Sequence, residues 1–210
     1  HITAEGDSVR MVYTVPSNMV AVGNGILRNI SSNNDKSTYE WFVSNPINNY
    51  NISVQIGNYV AVQDTFIKNN NIHKMNHYVL DYNKELASNY FTQSKEVIRF
   101  YEKYFGDYQW YEDGYKLIEV PYLGMEHQSA VTYGNGFSLY NGVRSKSWPM
   151  YGVIDPLIIH ETGHEWFGNS VTASDPTHIW IHEGLQVYSE SIYFEDKFDS
   201  YEVGVHYLNT

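Results

Sequence analysis

The stretch Ile158 to Asn169, IIHETGHEWFGN, constrains this chain more than any other. It sets two histidines, His160 and His164, four residues apart, with Glu161 directly after the first. On a helix that spacing puts both imidazoles on one face, roughly 6 Å apart along the axis at about 1.5 Å per residue. Asp155-Pro156 is a good helix start. The Asp carboxylate can accept from the free N–H groups of the first turn, and Pro loses nothing there by lacking its own. Gly168-Asn169 supplies a stop. Two imidazoles placed this way can converge on one ion at about 2.0–2.1 Å, the zinc–imidazole distance. Glu161 is rotated by roughly 100° from His160. A carboxylate there lies beside the ion without filling a coordination position, and can take a proton from water that a metal has acidified.

The plainer reading is a pair of hydrogen-bonded histidines with Glu161 on a solvated face. A third donor weighs against it. In IWIHEGLQVYSESIYF, helical spacing puts Ile181, Leu185, Tyr188 and Ile192 on one expected buried side, with Glu183 near the start. The short link NSVTASDPT makes the two helices antiparallel neighbours and carries the start of the second to the end of the first. His160, His164 and Glu183 then form three ligands with one position left for water, as in a catalytic rather than a structural zinc site.

The rest of the chain supplies context. Strand patterns fill the first third: Val9, Met11, Tyr13 and Val15 alternate, Ile52, Val54 and Ile56 do likewise, and Asn24-Gly25 suits a tight hairpin turn. A polar patch, KNNNIHKMNH, precedes a helical period over 81–105, with Leu86, Tyr90, Val97, Tyr101 and Phe105 on one side and Gly106 as its stop. YKLIEVPYLGMEHQSAVTYGNG returns to strand and loop, and NGVRSKSWPMYG is expected to be irregular. These elements define an α+β chain divided near Met75, with an all-β piece before it and an α+β piece after it. Trp166, Phe167 and Tyr188 are expected in the core; His73, His77 and His178 lack ligand spacing and are expected at the surface.

Charge and cysteine content narrow the function. With 24 acidic against 13 basic side chains, the net charge is −11, which argues against nucleic acid, since phosphate binding wants a basic face. No cysteine is present, so disulfides and thiolate metal sites are excluded. No apolar run approaches the roughly 20 residues that span a bilayer. The lack of cysteine and the Asn- and Tyr-rich loops lean toward an exported bacterial protein, periplasmic or extracellular. Asn29 and Asn51 fall in glycosylation sequons, which count only in a eukaryotic secretory chain.

His160-Glu161-Thr162-Gly163-His164, eighteen residues, then Glu183 in WIHEG resembles the gluzincin metallopeptidases. More narrowly, HEWFGN and the GMEH of Gly124 to His127 resemble the zinc aminopeptidases of the membrane alanyl aminopeptidase type. The resemblance implies a truncated thermolysin-like zinc peptidase catalytic domain over 76–210, preceded over 1–75 by the C-terminal part of an N-terminal β domain. It implies one zinc ion per chain held by His160, His164 and Glu183, with Glu161 as general base. It further implies that Glu126 binds the free α-amine of a peptide lying along an edge strand at Gly124 and Met125. A buried carboxylate is costly without a cation, and an α-ammonium is a suitable one.

The match has departures. His127 stands where the family usually has Asn, which suggests pH-dependent substrate binding. Glu165 is Gln in many relatives and is expected to be solvated or, at best, to support the metal ligands from behind; His182 is expected in packing or at the surface. The family's oxyanion-binding tyrosine and its C-terminal helical domain are expected beyond Thr210, so the 210-residue piece should bind zinc yet turn over poorly. Neither Tyr133 nor Tyr140 is assigned the tyrosine's role. Rival readings are a gluzincin endopeptidase, which GMEH and the eighteen-residue gap argue against, and a non-catalytic peptide-binding module, which would have no use for Glu161.

Overall fold

A computed structural model describes residues 4–138 and 154–209. The first third forms short and long strands: β1 (Glu5–Gly6), β2 (Val9–Pro16), β3 (Val20–Gly23), β4 (Ile26–Asn33), β5 (Lys36–Val43), β6 (Ile47–Asn48), β7 (Val54–Gly57), and the hairpin β8 (Tyr59–Lys68) with β9 (Asn71–Leu80). Helices α1 (Lys84–Tyr90) and α2 (Gln93–Phe105) follow, then β10 (Leu117–Glu119), β11 (Gly124–Met125) and β12 (Val131–Tyr133), then α3 (Pro156–Gly163), α4 (Trp180–Phe198) and α5 (Tyr201–Leu208). The chain is α+β, as its sequence pattern indicates. Among the described residues, no helix is long and apolar enough to cross a membrane.

A mixed sheet in the order β11-β12-β10-β9-β8 lies at the centre, with β9, β10 and β12 parallel. Alternate residues of its strands serve two cores, as period two requires. Tyr78 and Ile118 pack with Met11, Val22, Trp41 and Ile47 of the N-terminal strands. Their neighbours Val79 and Leu117 pack with Phe91, Val97, Tyr101, Ile158 and Phe194 of the helices. Each such side chain, fully buried, contributes about 1.5–3 kcal/mol. In β2 the expected alternation holds, with Met11 and Val15 buried and Val12 outside.

Several expectations are corrected. Met75 is buried in the middle of β9, so the expected division falls inside a continuous strand. The Asn-rich patch runs from the hairpin tip, where Asn69 and Asn70 take positive φ, into β9. Asn24-Gly25 is no hairpin turn: β3 pairs β7 while β4 pairs β5, so the dipeptide carries the chain between sheets. Gly25 is required there, because its φ is +74° and a Cβ would collide with the Phe42 carbonyl. The helical period over 81–105 is broken between α1 and α2, where Phe91 turns into the core and leaves Leu86 exposed. Gly106 does cap α2. Ile56 is exposed, while Val54 is half-buried against the N-terminal core. Asn51 is fully buried, which excludes a glycan at that sequon. NGVRSKSWPMYG and Tyr140 lie outside the described residues.

His77 is buried rather than at the surface, set between Phe91 and Tyr115, with Nδ1 accepting from the Leu117 N–H at 2.9 Å. Burial lowers its pKa to about 4. A base with a depressed folded pKa binds its proton first in the unfolded chain, so acidification from about 6.5 towards 4 destabilises the fold. Between pH 7 and pH 5 this one group should account for about 2 kcal/mol. His77→Asn keeps an acceptor for Leu117 but cannot titrate. Urea unfolding of the two proteins at both pH values should show the variant less sensitive to acid by that amount.

Candidate metal centre

Helix α3 begins as its sequence dictates. Asp155 is the N-cap, its carboxylate accepting from the Leu157 N–H at 2.9 Å, and Pro156 takes the first turn. The buried Asp155 also accepts from the Tyr90 and Tyr133 hydroxyls, which keeps Tyr133 in the core. Regular helix ends at Gly163, with His164 as C-cap, rather than at the expected Gly168. Wider turns then carry the chain on, the Asn169 N–H reaching back to the His164 carbonyl at 2.9 Å.

The buried face of helix α4 is turned by about one residue, roughly 100°, from the one its apolar residues suggest, and Ile181, Leu185 and Ile192 are half-buried. His182, Gln186, Ser189 and Glu190 are buried, together with Tyr193 and Phe194, while Tyr188 is 55% exposed. The polar groups are satisfied: Gln186 donates to the Tyr101 hydroxyl and the Ile159 carbonyl, and Tyr101 meets Ser189 at 2.8 Å. A polar face packs here because its hydrogen-bonding partners lie across the helix interface.

His160, His164 and Glu183 come together. The two Nε2 atoms are 3.2 Å apart, and Glu183 Oε2 lies 3.6 Å and 3.7 Å from them. Tetrahedral ligands at about 2.0–2.1 Å from an ion stand about 3.3 Å from each other, so the triangle has the size a zinc ion requires. Orientation fits as well. His164 Nδ1 donates to the Phe167 carbonyl at 2.8 Å, and His160 Nδ1 donates to Glu190 at 2.6 Å, so each Nε2 lone pair faces the triangle. Glu190, which also accepts from the Tyr207 hydroxyl, was not singled out in the sequence. Its signal was its place seven residues after Glu183, two turns further along α4.

Electrostatics separate the two imidazoles. Burial lowers His164 to about 3, helped by the charge of His160, so it stays neutral. Burial also opposes charge on His160, but the Glu190 hydrogen bond and the charges of Glu190, Glu161 and Glu183 outweigh it and raise that pKa to about 9. The triangle therefore attracts positive charge, and a metal ion would compete with that proton.

Glu161 and Glu126 lie beside His164, with ligand atoms of all three within 4.8 Å of one another. Burial pushes Glu161 up to about 8; His160 opposes this and Glu126, Glu183 and Glu190 add to it. Burial likewise raises Glu126, reinforced by Glu183. Glu126 is thus a buried acid. Gly124 and Met125 form β11, an edge strand paired antiparallel to β12, and a Cβ on Gly124 would collide with the Glu161 carboxylate.

Two flanking residues depart from expectation and a third is packed, as one of its expected readings had it. Glu165 is 1% exposed rather than solvated, accepting from the Ser129 N–H at 2.7 Å and from Asn169; burial raises its pKa to about 8. Burial lowers His127 to about 4, which removes the expected titration near neutral pH. His182 is buried, accepts from the Ala173 N–H at 2.9 Å and stacks on Tyr50. Trp166 is buried, Phe167 half-buried, His178 exposed, and His73 tilts against Tyr111.

Residues 89–210 match the peptidase family M1 domain, and the chain belongs to that family. Human endoplasmic reticulum aminopeptidase 2 is 34% identical over 124 residues, 53% of this chain and 12% of that protein. Aminopeptidase M1-D of Oryza sativa subsp. japonica is 21% identical over 204 residues, 96% of this chain and 23% of the relative. The chain thus spans at most a quarter of either. Among solved structures, the M1 zinc metallopeptidase from Deinococcus radiodurans superposes with a TM-score of 0.70 at 17% identity, over 90% of this chain and 41% of its own. A two-domain M1 zinc metallopeptidase variant bound to L-tryptophan gives 0.74 at 17%, over 92% and 41%. The fold is shared with both.

Removing a carboxylate that orients a ligating histidine typically lowers metal affinity about 10–100-fold. Glu190→Ala should do so here, read as the zinc concentration at half-occupancy in a chelator competition.

Proposed function

We propose that this chain carries the zinc site of an aminopeptidase, which removes the N-terminal residue of peptides with a free α-amine. The observation that carries the reading is the triangle of His160, His164 and Glu183 donor atoms, with two buried carboxylates, Glu161 and Glu126, beside it. Relatives named as aminopeptidases and neighbours named as zinc metallopeptidases support it.

His160 and His164 through Nε2 and Glu183 through Oε2 hold the ion. When bound, zinc supplies Lewis acidity toward water and a peptide carbonyl. Glu161 accepts a proton from the attacking water and passes it to the departing amine. Glu126 takes the substrate α-ammonium. Two buried acids facing each other gain from a cation between them, and fixing that cation decides which peptide bond reaches the metal. The edge of β11 offers main-chain groups to an extended substrate. Export from the cell, and completion of the cleft by a C-terminal domain of the same chain with an oxyanion-binding tyrosine, belong to the same proposal. On it, the 210 residues alone hold zinc but turn over poorly.

Glu161→Gln in the full-length protein should retain one zinc ion per chain and lose essentially all turnover of an aminoacyl-arylamide; an unaltered rate would exclude the mechanism. N-acetylation of a peptide should abolish its cleavage. Equal rates on blocked and free peptides would favour an endopeptidase, and zinc binding without turnover of either would favour a binding module.

A further inference from the structure

Asn169 lies five residues beyond His164 and is 4% exposed. Its amide is nevertheless fully used. Nδ2 donates to the Glu126 carbonyl at 2.8 Å and to Glu165 Oε2 at 3.3 Å. Oδ1 accepts from Asn51 Nδ2 at 2.8 Å and from the Tyr50 hydroxyl at 3.3 Å. An amide has two donors and two acceptor lone pairs, so nothing is left over. The orientation follows from the acceptors, since a flipped amide would set its oxygen against the Glu126 carbonyl and the Glu165 carboxylate.

The four partners come from three stretches of chain. Glu126 follows β11, Glu165 follows the second histidine, and Tyr50 and Asn51 lie in the 3-10 turn between β6 and β7. The backbone N–H of Asn169 also binds the His164 carbonyl. One residue therefore joins the backbone of a metal-site histidine to the backbone of Glu126, and ties both to Asn51. Glu165 adds a second hold on the same loop through the Ser129 N–H.

We propose that Asn169 is the positioning residue that sets the distance between the amine-anchoring Glu126 and the metal triangle, with Asn51 holding it in place. The inference rests on the aminopeptidase reading above. Asn169 acts on selectivity through geometry: displacing the Glu126 loop weakens the grip on an α-ammonium without altering the three metal donors.

Glycine hydroxamate and acetohydroxamate differ only in an α-amine, and both carry the same metal-binding group. The ratio of their inhibition constants on the full-length zinc enzyme reads the amine anchor alone. In the wild type glycine hydroxamate should bind more tightly. Asn169→Ala should keep its zinc and its affinity for acetohydroxamate while the preference for the amine falls about tenfold, a loss of about 1.4 kcal/mol. Asn51→Ala leaves the Asn169 side chain in place and should produce a smaller fall in the same direction; it decides the matter if Asn169→Ala fails to fold or loses zinc. A preference unchanged in the zinc-loaded, folded variants overturns the positioning role and leaves the aminopeptidase reading standing. A wild type without any preference removes the amine anchor, and this inference with it.

Discussion

Gly163 lets α3 lie against α2 and α4 at a separation that a side chain would forbid, since a Cβ there would run into the Tyr101 hydroxyl and the Gln186 amide. Helices ordinarily pack with axes about 8–10 Å apart. The site needs a carboxylate on α4 to come within 3.7 Å of an imidazole on α3, and close approach next to the second histidine is what permits it. The glycine weakens the helix that contains it, by roughly 0.5–1 kcal/mol relative to Ala. The Asp155 cap and the surrounding apolar residues of α3 offset that. The contact they enclose is polar, so every group in it must find a partner. Tyr101, Gln186 and Ser189 supply one another.

Charge is arranged as deliberately as shape. Glu126, Glu161, Glu183 and Glu190 converge on two histidines, and Glu165 stands just behind. Carboxylates gathered in a poorly solvated cleft raise one another's pKa and favour any cation that enters. On the proposed function, a divalent ion at the triangle and an ammonium at Glu126 would answer two parts of that surplus. The chain's acidic balance is thus partly local to this cleft, and its usual meaning of solubility covers only the remainder.

What was legible in the sequence follows from how local each interaction is. The histidine pair and Asp155-Pro156 could be read because one helical turn contains the whole argument. Glu183 could be reached because a short link and a second helix leave few ways to fold back. The edge strand at Gly124-Met125 and the role of Glu126 needed a family resemblance, since nothing in a four-residue loop announces burial. Glu165, Asn169 and Glu190 were missed or misread because their partners are Ser129, Asn51 and His160, at sequence separations of 30 or more. Apolar periodicity misplaced the buried face of α4 because it counts only apolar residues, and this helix buries its hydrogen-bonding side.

The attachment of the N-terminal strands shows why they belong to the site. Asn24 donates to the Gln128 carbonyl, the Gly25 N–H donates to Ser129 Oγ, and the ammonium of Lys116 is shared between the Gly25 and Ser129 carbonyls. Ser129 itself holds φ at +60°, a left-handed conformation that costs a non-glycine residue about 1–3 kcal/mol. Burial lowers Lys116 to about 7, against the pull of Glu165 and Asp113. A strained serine and a desolvated lysine persist only where several contacts determine them together. Both lie in or against the loop that follows Glu126, and their partners come from the strands on one side and the α3 turn on the other. An apolar seam between the same surfaces could slide by a fraction of an ångström at little cost, whereas directional hydrogen bonds to main-chain atoms cannot. The position of Glu126 is therefore specified by contacts from both sides of its loop, not only by the strand that precedes it.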